Sequence, residues 1–164
     1  MTERCENFVS GKRVVSSSPD CLDITNPATG ELISTLPLTV PEEVDQCVES
    51  AQQAFEQWSR TPVSDRAQVL FRYKQKLESS FDELSELVVR DNGKTLAESR
   101  GEVRRGIEVV DYACGITAHL MGSFTENLAQ GIDCHVVRQP LGVVAGFTPF
   151  NFPIMVPLWT IPIA

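Results

Sequence analysis

From Gln139 to Ala164 the chain carries no charged residue. A run this long without charge fits either a membrane span or a segment buried inside a protein. Five prolines fall within it: Pro140, Pro149, Pro153, Pro157 and Pro162, with Gly142, Gly146 and Asn151 between them. Each proline lacks a backbone donor and costs about 3 kcal/mol in a helix interior. Lipid offers no partner for the carbonyls so released. The run therefore reads as protein interior, with no membrane as partner. "LGVVAGF", Leu141 to Phe147, is apolar throughout, as a strand covered on both faces is. "TPFN" turns, and a buried, proline-bent helix follows with Pro153 in its first turn. Strand, turn and helix in this order open an α/β sheet of the parallel, open kind. Such sheets take ligands at the carboxyl ends of their strands, where this turn lies. Asn151 is the polar exception among Phe150, Phe152 and Pro153. On spacing alone it fits a helix N-cap.

The segment before this run supplies helices and an antiparallel arm. Residues 7–38 hold short β-branched runs punctuated by Gly11-Lys12, Asn26-Pro27 and Gly30, which mark reversals. Thr39 with Glu42 has capping-box spacing, and Val44, Val48, Ala51, Phe55 and Trp58 then form one apolar stripe, expected to be core. Ser64 opens a second helix with Leu70, Phe71, Leu77, Phe81, Leu84 and Val88 on its buried side, closed by Asn92-Gly93. Thr95 and Glu98 form another capping box and begin a third helix that runs to Gly122. Its main stripe is Val103, Ile107, Val110, Cys114 and Met121. Val109, Tyr112 and Ile116 make a second apolar strip, so this helix is expected to be sandwiched. Arg105 lies on that second strip, and Arg104 falls between the two and reads as solvated. Arg105 needs an anion there: Glu98 or Glu108 of its own helix, or a ligand carboxylate. His119 and His135 read as structural or surface histidines. Residues 132–138 suit a strand.

Composition narrows the partners. The net charge of −8 argues against nucleic acid and against an anionic membrane surface. The five cysteines are scattered, with no C-x-x-C pair, which fits free thiols in a reducing, cytoplasmic setting and gives a zinc site little support. The N-terminus reads as neither a secretory signal nor a transit peptide.

The residues together resemble a known family. "PLGVVAGFTPFNFPIMVPLW" is similar to the P-x-G-V-x-x-x-x-P-[WF]-N-[FY]-P segment of the aldehyde dehydrogenase superfamily. "NPATGE", the A-x-x-A-F-x-x-W helix and "GKTLAES" agree with it. "PFNFPIMVPLW" and "GEVRRGIEVVDYACG" resemble its CoA-acylating methylmalonate-semialdehyde dehydrogenase branch. The resemblance implies the N-terminal part of an aldehyde dehydrogenase fold. Residues 1–131 would form the arm and helical part of the NAD-binding domain, 132–139 a strand of the oligomerisation hairpin, and 140–164 the first βα unit of the sheet. It implies NAD as cofactor, coenzyme A as co-substrate, a short carboxylated aldehyde as substrate and a homo-oligomer. Asn151 becomes the oxyanion donor, Thr148, Pro149 and Phe150 the lining of the nicotinamide site, and Arg105 the holder of the substrate carboxylate. No G-x-G-x-x-G occurs, so NAD is implied by the family pattern and the strand–turn–helix order together. None of the five cysteines lies in the family's nucleophile motif, so the chain is expected to be a fragment without its thiolate and inactive alone. A non-acylating relative, and a non-catalytic chain acting by association, are the alternatives.

Overall fold

A computed structural model describes residues 3–164. The amino-terminal arm is built of short strands: β1 (Glu3–Arg4), β2 (Asn7–Val9), β3 (Lys12–Val14), β4 (Cys21–Thr25) and β5 (Leu32–Pro37). β2 and β3 pair across Ser10-Gly11, both at positive φ (53° and 75°), as a tight two-residue hairpin turn requires. The reversal is thus one residue earlier than the expected Gly11-Lys12. β5 is the centre of a separate three-stranded sheet, with β1 parallel on one side and β4 antiparallel on the other. The β4–β5 turn is closed by Asn26, whose carbonyl accepts from Gly30 N–H and whose side chain accepts from Ala28 N–H.

Helices follow: α1 (Pro41–Trp58), α2 (Val63–Ser79), α3 (Phe81–Asn92), α4 (Leu96–Cys114) and the single turn α5 (Ile116–His119). The expected capping box at Thr39 does not form. Val40 occupies the cap position of α1, and the Thr39 hydroxyl donates instead to Asn7 Oδ1. The second helix divides at Ser79-Ser80, where the Ser79 hydroxyl bonds the Lys76 carbonyl and competes with the helix ladder. The third divides at Gly115. A hairpin of β6 (Ser123–Ala129) and β7 (Ile132–Val136) comes next, then α6 (Met155–Thr160).

The core centres on α4. Val103, Ile107 and Val110 are fully buried and pack with Leu77 of α2 and Leu158 of α6, flanked by Tyr73, Phe81, Leu84 and Ile154. Each such side chain contributes roughly 1.5–3 kcal/mol of burial. α6 rests on α4 at Gly106, where an added Cβ would stand 2.6 Å from Leu158 Cδ1.

Three expectations are corrected. Residues 141–147 form no strand, and Leu141 and Phe147 are 96% and 97% exposed. A strand needs a neighbour's backbone, parallel neighbours come only through long crossovers, and none of the described strands runs beside it. α1 has no buried residue, so Val44, Val48 and Trp58 face outward. α4 is buried along the broad face that holds its main stripe, whereas on the second strip Val109 is half-buried and Tyr112 is exposed. His119 stacks on the Tyr112 ring at 4.4 Å, and His135 lies against Phe124 at 4.6 Å.

Candidate active site

The turn that carries Thr148, Pro149, Phe150 and Asn151 is held from behind by the junction of α3 and α4. That junction is rigid for local reasons. Gly93 ends α3 in the left-handed region (φ 75°), and its N–H donates to the Val89 carbonyl. A Cβ on Gly93 would also stand 2.8 Å from Pro27 Cγ of the β4–β5 turn. Two residues on, the expected capping box forms in full: Thr95 Oγ1 accepts from Glu98 N–H, and Glu98 Oε2 accepts from Thr95 N–H. The Thr95 hydroxyl also donates to Glu98 Oε2 and, with the Thr95 N–H, holds that carboxyl below the usual carboxylate range.

Lys94 projects from this junction toward the turn. Its Nζ donates to Glu102 Oε2 at 2.5 Å and to the Asn151 carbonyl at 2.5 Å, and it sits 4.3 Å over the Phe152 ring. The Glu102 side chain is 1% exposed. Its Oε1 accepts from the N–H groups of Ile154 and Met155, at 2.9 and 3.2 Å. A buried carboxylate requires such partners, because removing one from a buried pair costs about 3–5 kcal/mol. Asn92 Nδ2 donates to the Phe150 carbonyl at 2.8 Å, and Phe152 N–H reaches the Pro149 carbonyl at 3.4 Å.

The outward face of the turn is open. Thr148, Pro149, Phe150 and Asn151 are all exposed. The Asn151 carboxamide has no hydrogen-bond partner among the described residues, and the cap position of α6 belongs to Ile154, so Asn151 does not cap that helix. An unused amide N–H can donate to an oxygen that gains negative charge, and such a donor is worth about 3 kcal/mol. The described residues offer no glycine-rich cradle for a pyrophosphate.

Arg105 is exposed on α4 and makes no ion pair among the described residues. Of its two expected partners, Glu98 is engaged by Thr95. Arg104 is not simply solvated: its Nη1 donates to both carboxylate oxygens of Glu78 on α2, and its guanidinium lies over the Phe81 ring. No hydrogen bond or ion pair joins Arg105 to the turn. Cys114 is buried, and that burial pushes its thiol up, so it stays protonated. No group of His, Cys, Asp and Glu among the described residues could hold a metal ion. No described helix is long and apolar enough to cross a membrane. Two grooves of about 490 and 510 Å³ open elsewhere, one beside Trp58, Arg66 and Leu141, the other behind the turn beside Arg4, Arg90 and Ile154. Neither is lined by Thr148 to Asn151.

Sequence reasoning singled out Asn151 and its turn and passed over the contacts that Asn92, Lys94 and Glu102 make behind it. One signal was present for Glu102: it sits directly beside the Val103–Ile107–Val110 stripe, where a carboxylate faces the interior.

A model described as "Aldehyde dehydrogenase family" matches residues 14–164. Malonate-semialdehyde dehydrogenase 1 of Geobacillus kaustophilus is 47% identical over 159 residues, which are 97% of this chain and 33% of that protein. The crystal structure of methylmalonate-semialdehyde dehydrogenase from Oceanimonas doudoroffii superposes with a TM-score of 0.92 at 43% identity, covering 99% of this chain and 33% of that one. A Sinorhizobium meliloti structure described as a methylmalonate-semialdehyde dehydrogenase complexed with NAD gives 0.91 at 40% identity, over 97% of this chain and 32% of that one. The chain therefore spans about a third of the length of the curated relatives it matches.

Proposed function

This chain belongs to the aldehyde dehydrogenase family, and from that premise we propose that it serves the NAD-dependent oxidation of a short carboxylated aldehyde, malonate or methylmalonate semialdehyde, to an acyl-CoA. The observation that carries the reading is the unengaged Asn151 carboxamide on a turn whose backbone is hydrogen-bonded from behind on both sides. The names of the relatives supply the substrate class.

In this reading a cysteine thiolate supplied from sequence outside these 164 residues attacks the aldehyde carbon. The C–S bond forms, the carbonyl π pair moves to oxygen, and the Asn151 amide N–H donates to that oxygen. The C=O bond reforms as the hydride leaves with its electron pair, giving a thioester. NAD, when bound, accepts that hydride. Thr148, Pro149 and Phe150 form the wall against which the nicotinamide lies. Arg105, unpaired on its helix, takes the substrate carboxylate with its guanidinium fork. The thioester loses that carboxylate as CO₂, the C–C pair staying as an enolate that takes a proton from solvent, and the acyl group passes to the sulfur of coenzyme A as the cysteine thiolate leaves. We assign the β6–β7 hairpin, with Phe124, Leu128, Ile132 and Val136 exposed, to contact between subunits of a homo-oligomer.

The test uses the full-length protein that carries this chain, given malonate semialdehyde and NAD with and without coenzyme A. NADH and an acyl-CoA are expected to form together, with turnover stalling when coenzyme A is left out. Equal NADH formation with release of the free acid would transfer the acyl group to water and overturn the acylating step. Arg105→Ala is expected to raise KM for the semialdehyde by roughly 10–100-fold, the worth of one charge-assisted contact, and to leave an uncharged aldehyde unaffected.

A further inference from the structure

We infer that Asn92, Lys94 and Glu102 are positioning residues that fix, from behind its turn, the backbone from which the Asn151 carboxamide projects; the inference rests on the oxyanion role proposed for Asn151. The backbone angles of a residue are set by the two rigid peptide planes that meet at its Cα. The plane before Asn151 presents the Phe150 carbonyl, which Asn92 Nδ2 holds at 2.8 Å. The plane after it presents the Asn151 carbonyl, which Lys94 Nζ holds at 2.5 Å. With both planes held, the side-chain torsions of Asn151 are the freedom that remains.

A lysine is a poor anchor by itself, because fixing its long side chain costs about 1.5–2 kcal/mol of rotamer entropy. Here Glu102 and the Phe152 ring restrain it. Glu102 itself is buried and ties the Ile154 and Met155 N–H groups, so the same carboxylate fixes the lysine and the backbone just after the turn. Asn92 and Lys94 leave from a junction locked by Gly93 on one side and by the Thr95 cap on the other. Stability alone does not account for such a device, since a buried ion pair is often replaced by apolar groups at no loss. Orientation does account for it: an oxyanion donor is effective because it is aimed before the reaction begins.

The test uses steady-state kinetics of the full-length protein with malonate semialdehyde, NAD and coenzyme A. Lys94→Met is expected to lower kcat roughly 10–100-fold, as small misplacements of a reacting geometry do, with KM changed by less than about threefold. Lys94→Arg is expected to restore most of the rate. The double variant Lys94→Met/Asn151→Ala is expected to be no slower than Asn151→Ala alone, because Lys94 acts only through that amide. Glu102→Gln keeps the shape and removes the charge that holds Lys94. It is expected to lower kcat in the same way, and it provides the readout if Lys94→Met does not fold. A Lys94→Met protein that melts earlier but keeps its kcat overturns the inference, and so do losses that multiply in the double variant; in both cases the role of Asn151 stands. Asn151→Ala with undiminished kcat overturns the oxyanion reading and this inference with it.

Discussion

Single residues in α4 make opposite demands at two glycines. An added Cβ at Gly101 meets nothing within 4 Å, whereas at Gly106 it meets Leu158 Cδ1 at 2.6 Å and the Met155 Cα at 3.4 Å. Gly101→Ala is therefore expected to stabilise the fold by about 0.5–1 kcal/mol, the helix-propensity gain alone. At Gly106 the same gain is set against overpacking of about 1–3 kcal/mol, because Leu158 is buried and cannot swing aside. Gly106→Ala should be net destabilising, and urea unfolding of the two variants checks the opposite signs. Which residues were legible follows the same logic of local against distant cause. Asn151 announces itself by being polar in an apolar run. Asn92 is legible only as part of a helix stop and Lys94 not at all, because their partners, the Phe150 and Asn151 carbonyls, lie 58 and 57 positions away in the chain.

At the scale of elements, the α3–α4 junction was legible and the strand over 141–147 was not. Gly93, Thr95 and Glu98 act on their immediate neighbours, so spacing alone announces them. The stretch Leu141 to Phe147 has the composition of a buried strand, yet composition does not supply the neighbouring backbone that makes one. The capping box makes a pH-dependent prediction. Thr95→Ala removes a cap worth about 1 kcal/mol of helix stability. Glu98 has its folded pKa depressed by the Thr95 hydroxyl, so its contribution is fully present above the unfolded carboxylate value of about 4.3 and is lost as pH falls through the folded value. The stability gap between parent and Thr95→Ala is expected to be constant near neutrality and to narrow below about pH 4, without vanishing, since Thr95 Oγ1 still accepts from Glu98 N–H. Thermal melts across that range measure it, and a gap that widens in acid would contradict the assignment.

For the molecule as a whole, the apolar stripes of α1 and of residues 141–147 were read correctly as apolar and wrongly as covered. Val44, Val48, Trp58, Leu141, Val144 and Phe147 stand exposed on these segments. Patches of this kind promote association. The purified 164-residue chain is expected to sediment as more than a monomer and to bind an apolar dye, whereas a dye-silent monomer at high micromolar concentration would refute this. The contact of Pro27 with Gly93 has a consequence at the same scale. The turn of the β4–β5 ribbon is a wedge set against the junction of two helices, and that junction in turn grips the loop bearing Asn151. Trimming or remodelling the ribbon should therefore be felt as slack at the far end of the sequence, so an amino-terminal edit that touches no reacting atom can still detune the chemistry.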